Sequence, residues 1–435
     1  MINIKIKIVF LFSFLSFLSF LFSCSTYEPS YKLSNANRTQ SKSIKRGVSY
    51  SFQGYTDEEM KLLSPGVTWF YNWGSSLTDG IDHSAEFYDF TFFPMAWNDV
   101  NANALRRYKT AHPECDYLLA YNEPNLKDQA NMTPIQAAEK WPKLLGLAKE
   151  LNMKIVSPAM NYGTLENYGD PIVWLDEFFT LINPDDISAI AIHCYMGNAS
   201  ALKSYVERFK KYNKPIWVTE FCAYEQFISS SEMQMKFMSD AVSYLELDPD
   251  IQRYAWFIPK GGNYVNSFPY MYLLNKEVPI NLTDCGKVYV NMSSFDKSVY
   301  ALAGDSIQAE HFTNCNLTES IDNAGFSNSV HFRPTTDADG ELDIYDFTEN
   351  KWVEYQVELA RKGDYYLQIR NYSLLDTDIT IYLDSNIVDF ITVPESDTWM
   401  TYKSLSYSLS FGKHTIRYEV TSGNTIINWF SINIK

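Results

Sequence analysis

Charge is scarce in this chain of 435 residues, and what there is leans acidic. Only 20% of residues are charged, 36 basic against 52 acidic, for a formal net charge of −16. No basic block occurs, so the electrostatic grip that phosphate backbones demand is missing, and nucleic acid drops out as a partner. Histidine and cysteine are sparse, at six each. There is no C-x-x-C or zinc-ligand spacing, no H-E-x-x-H, no Walker loop, no G-x-G-x-x-G and no G-x-S-x-G. Zinc-protease, nucleotide-binding and serine-hydrolase chemistries therefore have no anchor, and no catalytic cofactor is expected. What the chain does have is 46% hydrophobic residues, enough for a sizeable core and incompatible with global disorder. Aromatics reach 16%, with 31 Tyr, 28 Phe and 10 Trp. That richness suits protein interiors and equally suits surfaces that stack on sugar rings.

The first residues read as an address rather than as fold. Lys5 and Lys7 precede an apolar run, 8–22, made wholly of Ile, Val, Phe, Leu and Ser. The run is short of the roughly 20 residues a spanning helix needs and fits a secretory h-region. It ends in Leu21-Phe22-Ser23-Cys24, which resembles a bacterial lipobox with Cys24 as the lipidated residue; an ordinary cleaved signal is the alternative. Residues 1–24 are thus expected to be a lipoprotein signal, and the polar stretch 25–46 a flexible tether to a cell-surface or outer-membrane anchor. The remaining cysteines, Cys115, Cys194, Cys222, Cys285 and Cys315, are odd in number and are expected to be buried thiols, with one internal disulfide as the alternative.

From Gly47 onward, short β-rich runs alternate with helical stretches. Strands are expected at 47–50, 67–73, 90–96, 116–123, 154–159, 187–195, 215–221 and 253–259. Several are continuous apolar runs, as strands buried on two faces require. Helices are expected at 134–152, opened by Thr133-Pro134, and at 230–245. Eight strands with crossover-length connections predict a (β/α)8 barrel over 47–280. Residues 281–302 read as a β-segment and joint. Residues 303–435 carry short alternating strands, such as 352–359, 365–370, 379–383, 414–420 and 426–434, which predict a jelly-roll-like β-sandwich.

In such barrels, polar residues at the C-terminal strand ends are the catalytic candidates. The fourth strand runs into Asn122-Glu123-Pro124-Asn125, the sixth into His193-Cys194-Tyr195 and the seventh into Glu220-Phe221. An apolar strand ending in a carboxylate is costly unless that carboxylate has a partner or a task. Two such strands supply the pair that glycoside hydrolysis uses, one group to protonate the leaving oxygen and one to attack the anomeric carbon. Trp73, Trp97, Tyr224 and Trp256 follow or end strands and are candidate sugar platforms, with core packing as the competing role.

The stretches Val67 to Gly74, Phe93-Pro94-Met95-Ala96-Trp97, Leu118 to Asn125, Gln129 to Pro134, Val156 to Ala159, Ala191 to Tyr195, Trp217 to Phe221 and Tyr254 to Phe257 resemble, in order, glycoside hydrolase family 128. That family shares its barrel with the fungal alkali-sensitive-linkage proteins. The resemblance implies retaining, endo-type hydrolysis of β-1,3-glucan, with Glu123 as acid/base and Glu220 as nucleophile. It also implies that Asn122 binds the sugar 2-hydroxyl and that His193 and Tyr195 line the same subsite. Cys194 departs from the family, which often has an aromatic there. The rival reading is a non-catalytic β-glucan-binding surface protein that uses the same cleft.

Ile307 to Phe312, Trp352-Val353-Glu354-Tyr355, Gly363 to Leu367, Gly412 to Arg417 and Asn428-Trp429 resemble a family-6 carbohydrate-binding module. The resemblance implies a structural calcium, with Glu310 as candidate ligand, and a glycan site in the end loops using Phe326, Asn424 and Asn428. A spacer sandwich is the alternative. The protein is expected to act as a monomer on a β-glucan polymer or oligosaccharide.

Overall fold

The structure, a computed structural model, describes residues 31–435 apart from 53, 225–227, 262–268, 318–325 and 327. The expected signal and Cys24 lie outside the described residues.

Eight parallel strands form one sheet: β1 (Arg46–Ser49), β2 (Trp69–Tyr71), β3 (Thr91–Phe92), β4 (Tyr117–Leu119), β5 (Lys154–Val156), β6 (Ile187–Cys194), β7 (Ile216–Phe221) and β8 (Ile251–Trp256). Their order is β3-β2-β1-β8-β7-β6-β5-β4. The two ends meet at a parallel bridge between Met95 and Leu119, where Leu119 N–H donates to Pro94 and Ala96 N–H to Leu119, each at 2.9 Å. The sheet is therefore a closed barrel. Helices follow the strands in turn: α1 (Thr56–Leu63), α2 (Asp79–Phe87), α3 (Ala102–Ala111), α4 (Pro134–Glu150), α5 (Pro171–Leu181), α6 (Ala199–Glu207), α7 (Ser231–Leu247) and α8 (Asp284–Asn291). Local chemistry sets their limits. At α4, Thr133 and Gln136 form a reciprocal capping box with Pro134 in the first turn, satisfying N–H groups that the helix cannot. Every residue of β7 is buried, which is why it reads as an apolar run. Aromatic residues Trp69, Phe93 and Trp217 fill the barrel interior around the Arg253 guanidinium, which lies 4.9 Å from the Phe93 ring centre and 5.3 Å from that of Trp217.

Two boundaries differ from expectation. Residues 281–302 are not a β-segment throughout: α8 lies inside them, and the barrel runs to Asn291 rather than to 280. Val288, Tyr289 and Val290 belong to the buried side of this helix, which Thr283 caps by accepting from Gly286 N–H at 3.0 Å. The described part of the expected tether, 31–45, is likewise docked rather than free. Tyr31 Oη, Ser34 N–H and Oγ, and Arg38 all converge on the buried Glu358 carboxylate at 2.7–3.0 Å. Gln40 donates to the His311 carbonyl at 2.8 Å and accepts from Ser294 N–H at 2.9 Å. Composition counts these residues as polar and solvated, whereas they are spent as hydrogen-bond partners in the joint between domains. Arg46, the last residue assigned to the tether, opens β1 and is buried against Glu246 at 3.2 Å.

The C-terminal domain is a sandwich of two sheets. One contains β10 (Ile307–Gln308), β12 (His331–Pro334), β13 (Leu342–Thr348), β15 (Gly363–Ser373), β18 (Met400–Leu409) and β20 (Asn424–Ile434). The other contains β9 (Ala301–Leu302), β11 (Asn314–Cys315), β14 (Trp352–Leu359), β16 (Thr377–Leu383), β17 (Asn386–Val393) and β19 (Gly412–Ser422). Alternating burial along β15 and β19 places one side of each sheet in the core. The sandwich packs on α7 and α8 through β12. There His331 Nε2 lies 3.1 Å from the Asp240 carboxylate, Ser329 donates to the same carboxylate, and Phe332 N–H donates to Ser239 at 3.1 Å. All five described cysteines are buried free thiols.

Candidate active site

The β4 chain continues past Leu119 and bends at its end, where Asn122 bridges Ala159 and Glu123 N–H donates to the Ala159 carbonyl at 3.0 Å. Glu123 takes a positive φ of 43° there, which turns its carboxylate inward across the barrel mouth. Glu220 sits one residue before the end of β7 and is buried. Carboxylate oxygens of Glu123 and Glu220 and a ring nitrogen of His193 all lie within 4.8 Å of one another.

Each carboxylate is held by named donors. Tyr71 Oη donates to Glu220 Oε1 at 2.6 Å, Trp73 Nε1 to the same oxygen at 2.8 Å, and Tyr195 Oη to Oε2. Asn161 Nδ2 donates to Glu123 Oε1 at 2.9 Å, and His193 Nδ1 lies 2.9 Å from that oxygen and 3.4 Å from Glu220 Oε2. Burial works against a charge on His193, but the Glu220 and Glu123 carboxylates outweigh it and raise its pKa. Burial pushes Glu220 up, and the negative charge of Glu123 adds to the rise against the pull of His193, Tyr195 and Tyr71. Burial acts on Glu123 as well, yet His193 and Asn161 hold it below the usual carboxylate range.

Above the pair opens a cleft of about 550 Å³, lined by Trp73, Trp97, Asn122, Gln129, Asn161, Tyr195, Tyr224, Phe257 and Ile258 together with the two carboxylates. Asn122 Nδ2 donates to Gln129 at 3.2 Å, while its buried Oδ1 has no partner among the described residues. Trp73, Trp97, Asn122, Tyr195 and Tyr224, all candidates from the sequence, thus line this cleft. Two residues do not. Trp256 is fully buried between Phe221 and Tyr289, with Nε1 donating to the Met271 carbonyl at 2.8 Å. Side chains alternate along a strand, so Trp256 points out toward the helices and the next residue, Phe257, takes the cleft wall. His193 is also fully buried and bridges the two carboxylates instead of lining a subsite. Sequence reasoning missed Tyr71 and Asn161. Asn161 lay within reach of the strand-end rule, since it closes the polar exit of β5.

In the sandwich, Phe326 is buried and faces Tyr244 of α7 at 6.3 Å, so it belongs to the domain joint and not to a glycan site. Its aromatic character is used to seal an interface, which a loop sequence does not announce. Asn428 is fully buried, with Nδ2 donating to Asp337 at 2.9 Å and to the Asp339 carbonyl at 2.6 Å. It too is removed from any exposed sugar face. Asn424 opens β20 at one end of the sandwich, and its carbonyl accepts from Leu374 N–H at 3.1 Å. Near that end Trp399, missed in the sequence, lies 6.1 Å from Tyr372 and donates to Thr336 at 3.1 Å.

The calcium expected of the module can be tested against the oxygens present. Glu310 Oε2, Gln308 Oε1, Asn428 Oδ1 and Asp343 Oδ2 are all buried without a hydrogen-bond partner among the described residues. Gly340, at φ +95°, leaves the space between two of them: a Cβ there would fall 2.6 Å from Asn428 Oδ1 and 2.7 Å from Gln308 Oε1. Burial pushes the Glu310 carboxyl up to about 8 and that of Asp343 to about 7. Hard, unpaired oxygens around a buried carboxylate fit a calcium ion.

Comparison with known proteins agrees with this geometry. Residues 47–289 match the family model "glycosyl hydrolase catalytic core". Residues 327–432 match "carbohydrate binding module (family 35)", so the family number is 35 where the resemblance pointed to 6; the shared fold-keeping positions do not separate the two. An endo-β-1,3-glucanase of glycoside hydrolase family 128 (subgroup II) from Pseudomonas viridiflava is 37% identical, with a TM-score of 0.52, covering 58% of this chain and 98% of that one. The corresponding enzyme from Sorangium cellulosum is 32% identical, with a TM-score of 0.51, covering 57% and 98%. Alkali-sensitive linkage protein 1 of Schizosaccharomyces pombe is 28% identical over 231 residues, which is 50% of this chain and only 39% of the fungal protein. With its carboxylate pair on the fourth and seventh strands and a family match over more than half its length, the chain belongs to the glycosyl hydrolase catalytic core family, within glycoside hydrolase family 128.

Proposed function

We propose that this protein cleaves β-1,3-glucan internally and with retention of configuration, from a lipid anchor at Cys24 on the outer surface of a bacterial cell. The observation that carries the chemistry is the buried pair, whose nearest oxygens lie within 4.8 Å. Retaining enzymes hold their carboxylates about 5–5.5 Å apart, whereas seating a water between them takes about 6.5–9.5 Å.

Glu220 is the nucleophile. Donors from Tyr71, Trp73 and Tyr195 favour its ionised form and aim its oxygens into the cleft. Glu123 gives a proton to the glycosidic oxygen as the C–O bond breaks and the Glu220–carbon bond forms. His193 Nδ1, 2.9 Å from Glu123 Oε1, stands where it returns a proton to Glu123 between turnovers. In the second step Glu123 takes a proton from water, the hydroxide displaces Glu220, and the sugar leaves with its original configuration. Asn122, its Oδ1 without a partner among the described residues, meets the 2-hydroxyl of the reacting sugar.

Calcium would be held by Glu310 with Gln308, Asn428 and Asp343, where it would neutralise buried carboxylate charge and fix the sandwich. Trp399 and Tyr372, beside Asn424, form the module's sugar platform. Anchored enzyme and module together raise the local concentration of polymer at the cleft.

The test is incubation of the protein lacking residues 1–24 with laminarin and with unbranched β-1,3-glucan, beside its Glu220→Gln variant. Oligosaccharides of mixed length from the parent alone support the reading. Binding by parent and variant without release by either replaces it with the non-catalytic glycan-binding protein.

A further inference from the structure

We infer that Asn161 is a positioning residue that holds Glu123 as a carboxylate, ready to act as base in the second half of the reaction. The inference rests on the retaining role given to Glu123 above.

Asn161 stands just beyond β5, where Met160 bridges Ile192 of β6. Its Nδ2 donates to Glu123 Oε1 at 2.9 Å, the same oxygen that His193 Nδ1 approaches. The amide cannot reverse without loss, because Oδ1 accepts from Tyr162 N–H at 2.8 Å and so fixes which end faces Glu123. The backbone is fixed as well. The Asn161 carbonyl accepts from Asn125 Nδ2 at 2.7 Å, and the Asn125 carbonyl accepts from Thr164 and Leu165 N–H at 3.0 and 2.9 Å. Gly163 completes the clasp, since a Cβ there would strike Asn125 and Tyr168 backbone. Asn125, two residues after the acid/base, thus ties the loop carrying Asn161 to the strand end carrying Glu123.

The chemistry follows from the donor type. An amide N–H₂ donates at every pH and has no proton to give up, unlike His193. A donor aimed at a carboxylate favours its ionised form. Protonation of Glu123 is opposed by Asn161 throughout, so the proton taken up from water in the second step is the more easily passed on when the site resets. The other ionisable groups facing Glu123 are His193 of β6, Tyr195 just past β6, Glu220 of β7, Tyr71 of β2 and, from α6, Tyr205.

Two variants of the full chain test this, Asn161→Ala and Asn161→Asp. The second keeps the shape and the acceptor for Tyr162 while replacing the donor with a charge. Loss of the donor raises the pKa of Glu123, which must be protonated to start the reaction. The basic limb of kcat/KM is therefore expected to move up by about one pH unit in Asn161→Ala, and further in Asn161→Asp. Reduced kcat with an unmoved limb in the two variants, or a limb that moves down, overturns the inference. Azide rescue of Glu123→Ala, with formation of a β-glycosyl azide, tests the reading beneath it. Absence of rescue sinks that reading, whereas rescue beside an unmoved limb sinks only the role of Asn161.

Discussion

Two groups of buried carboxylates occupy the two domains, and their surroundings differ in kind. In the barrel, Glu123 and Glu220 are met by protein donors from Tyr71, Trp73, Asn161, His193 and Tyr195. In the sandwich, Glu310 and Asp343 each keep an oxygen with no protein donor among the described residues, beside amide oxygens equally unpaired. Donors around a carboxylate preserve its charge and its direction, as attack on a neutral sugar demands. Arg333 Nε meets the other Asp343 oxygen at 3.0 Å, and the oxygens left without a donor suit a proton or a cation. On the proposed function, the same residue type is a reagent in one domain and a metal ligand in the other, and the neighbours decide which.

The largest expected effect breaks the barrel side of this contrast. Glu220→Gln keeps shape and most hydrogen bonds but removes the attacking charge, so hydrolysis of laminarin is expected to fall about a thousandfold or more. Thermal unfolding should stay within a few degrees of the parent. A variant that unfolds early would assign Glu220 a structural role.

Removing the proposed calcium addresses the sandwich side. Chelation is expected to lower the unfolding temperature of the module by about 5–10 °C while hydrolysis of soluble laminarin persists. The pH dependence has a definite sign. Because the folded pKa values of Glu310 and Asp343 are raised by burial, to about 8 and about 7, the metal-free module is fully stabilised below the ordinary carboxylate range. It loses that stability as pH rises through about 7 to 8. Chelation should therefore cost more at pH 8.5 than at pH 6, as read by calorimetry at the two pH values. An effect independent of pH would detach the cation from these carboxylates.

A smaller change sharpens the comparison. Tyr71→Phe removes one of three donors to Glu220, which must be ionised to attack. Its pKa rises, so the acid limb of the kcat/KM profile should move to higher pH, with kcat reduced about tenfold. An unchanged limb would mean that Trp73 and Tyr195 alone set the charge.

The barrel was far more legible in sequence than the module, for a physical reason. Strand ends of a parallel barrel all face one way, so an apolar run followed by Asn122-Glu123 or Glu220 declares where its polar group stands. Legibility failed where direction or context was needed. Trp256 and Phe257 are adjacent aromatics on opposite faces, and only the strand's phase tells them apart. The β-segment read over 281–302 gives way to α8 once the cap at Thr283 is weighed. Ser34, Arg38 and Gln40 look like tether because composition carries no information about the Glu358 carboxylate that receives them. In the sandwich, the family resemblance points Phe326 and Asn428 toward sugar, but loops and strand ends there carry no fixed direction, and both side chains are buried.

The most direct measurement is proton NMR of the first products released from a β-1,3-glucan oligosaccharide by the protein lacking residues 1–24. The account predicts that the β-anomer appears first and the α-anomer only later by mutarotation, with neither produced by Glu220→Gln. Initial appearance of the α-anomer would contradict direct attack by Glu220 and with it the central role given to the buried pair.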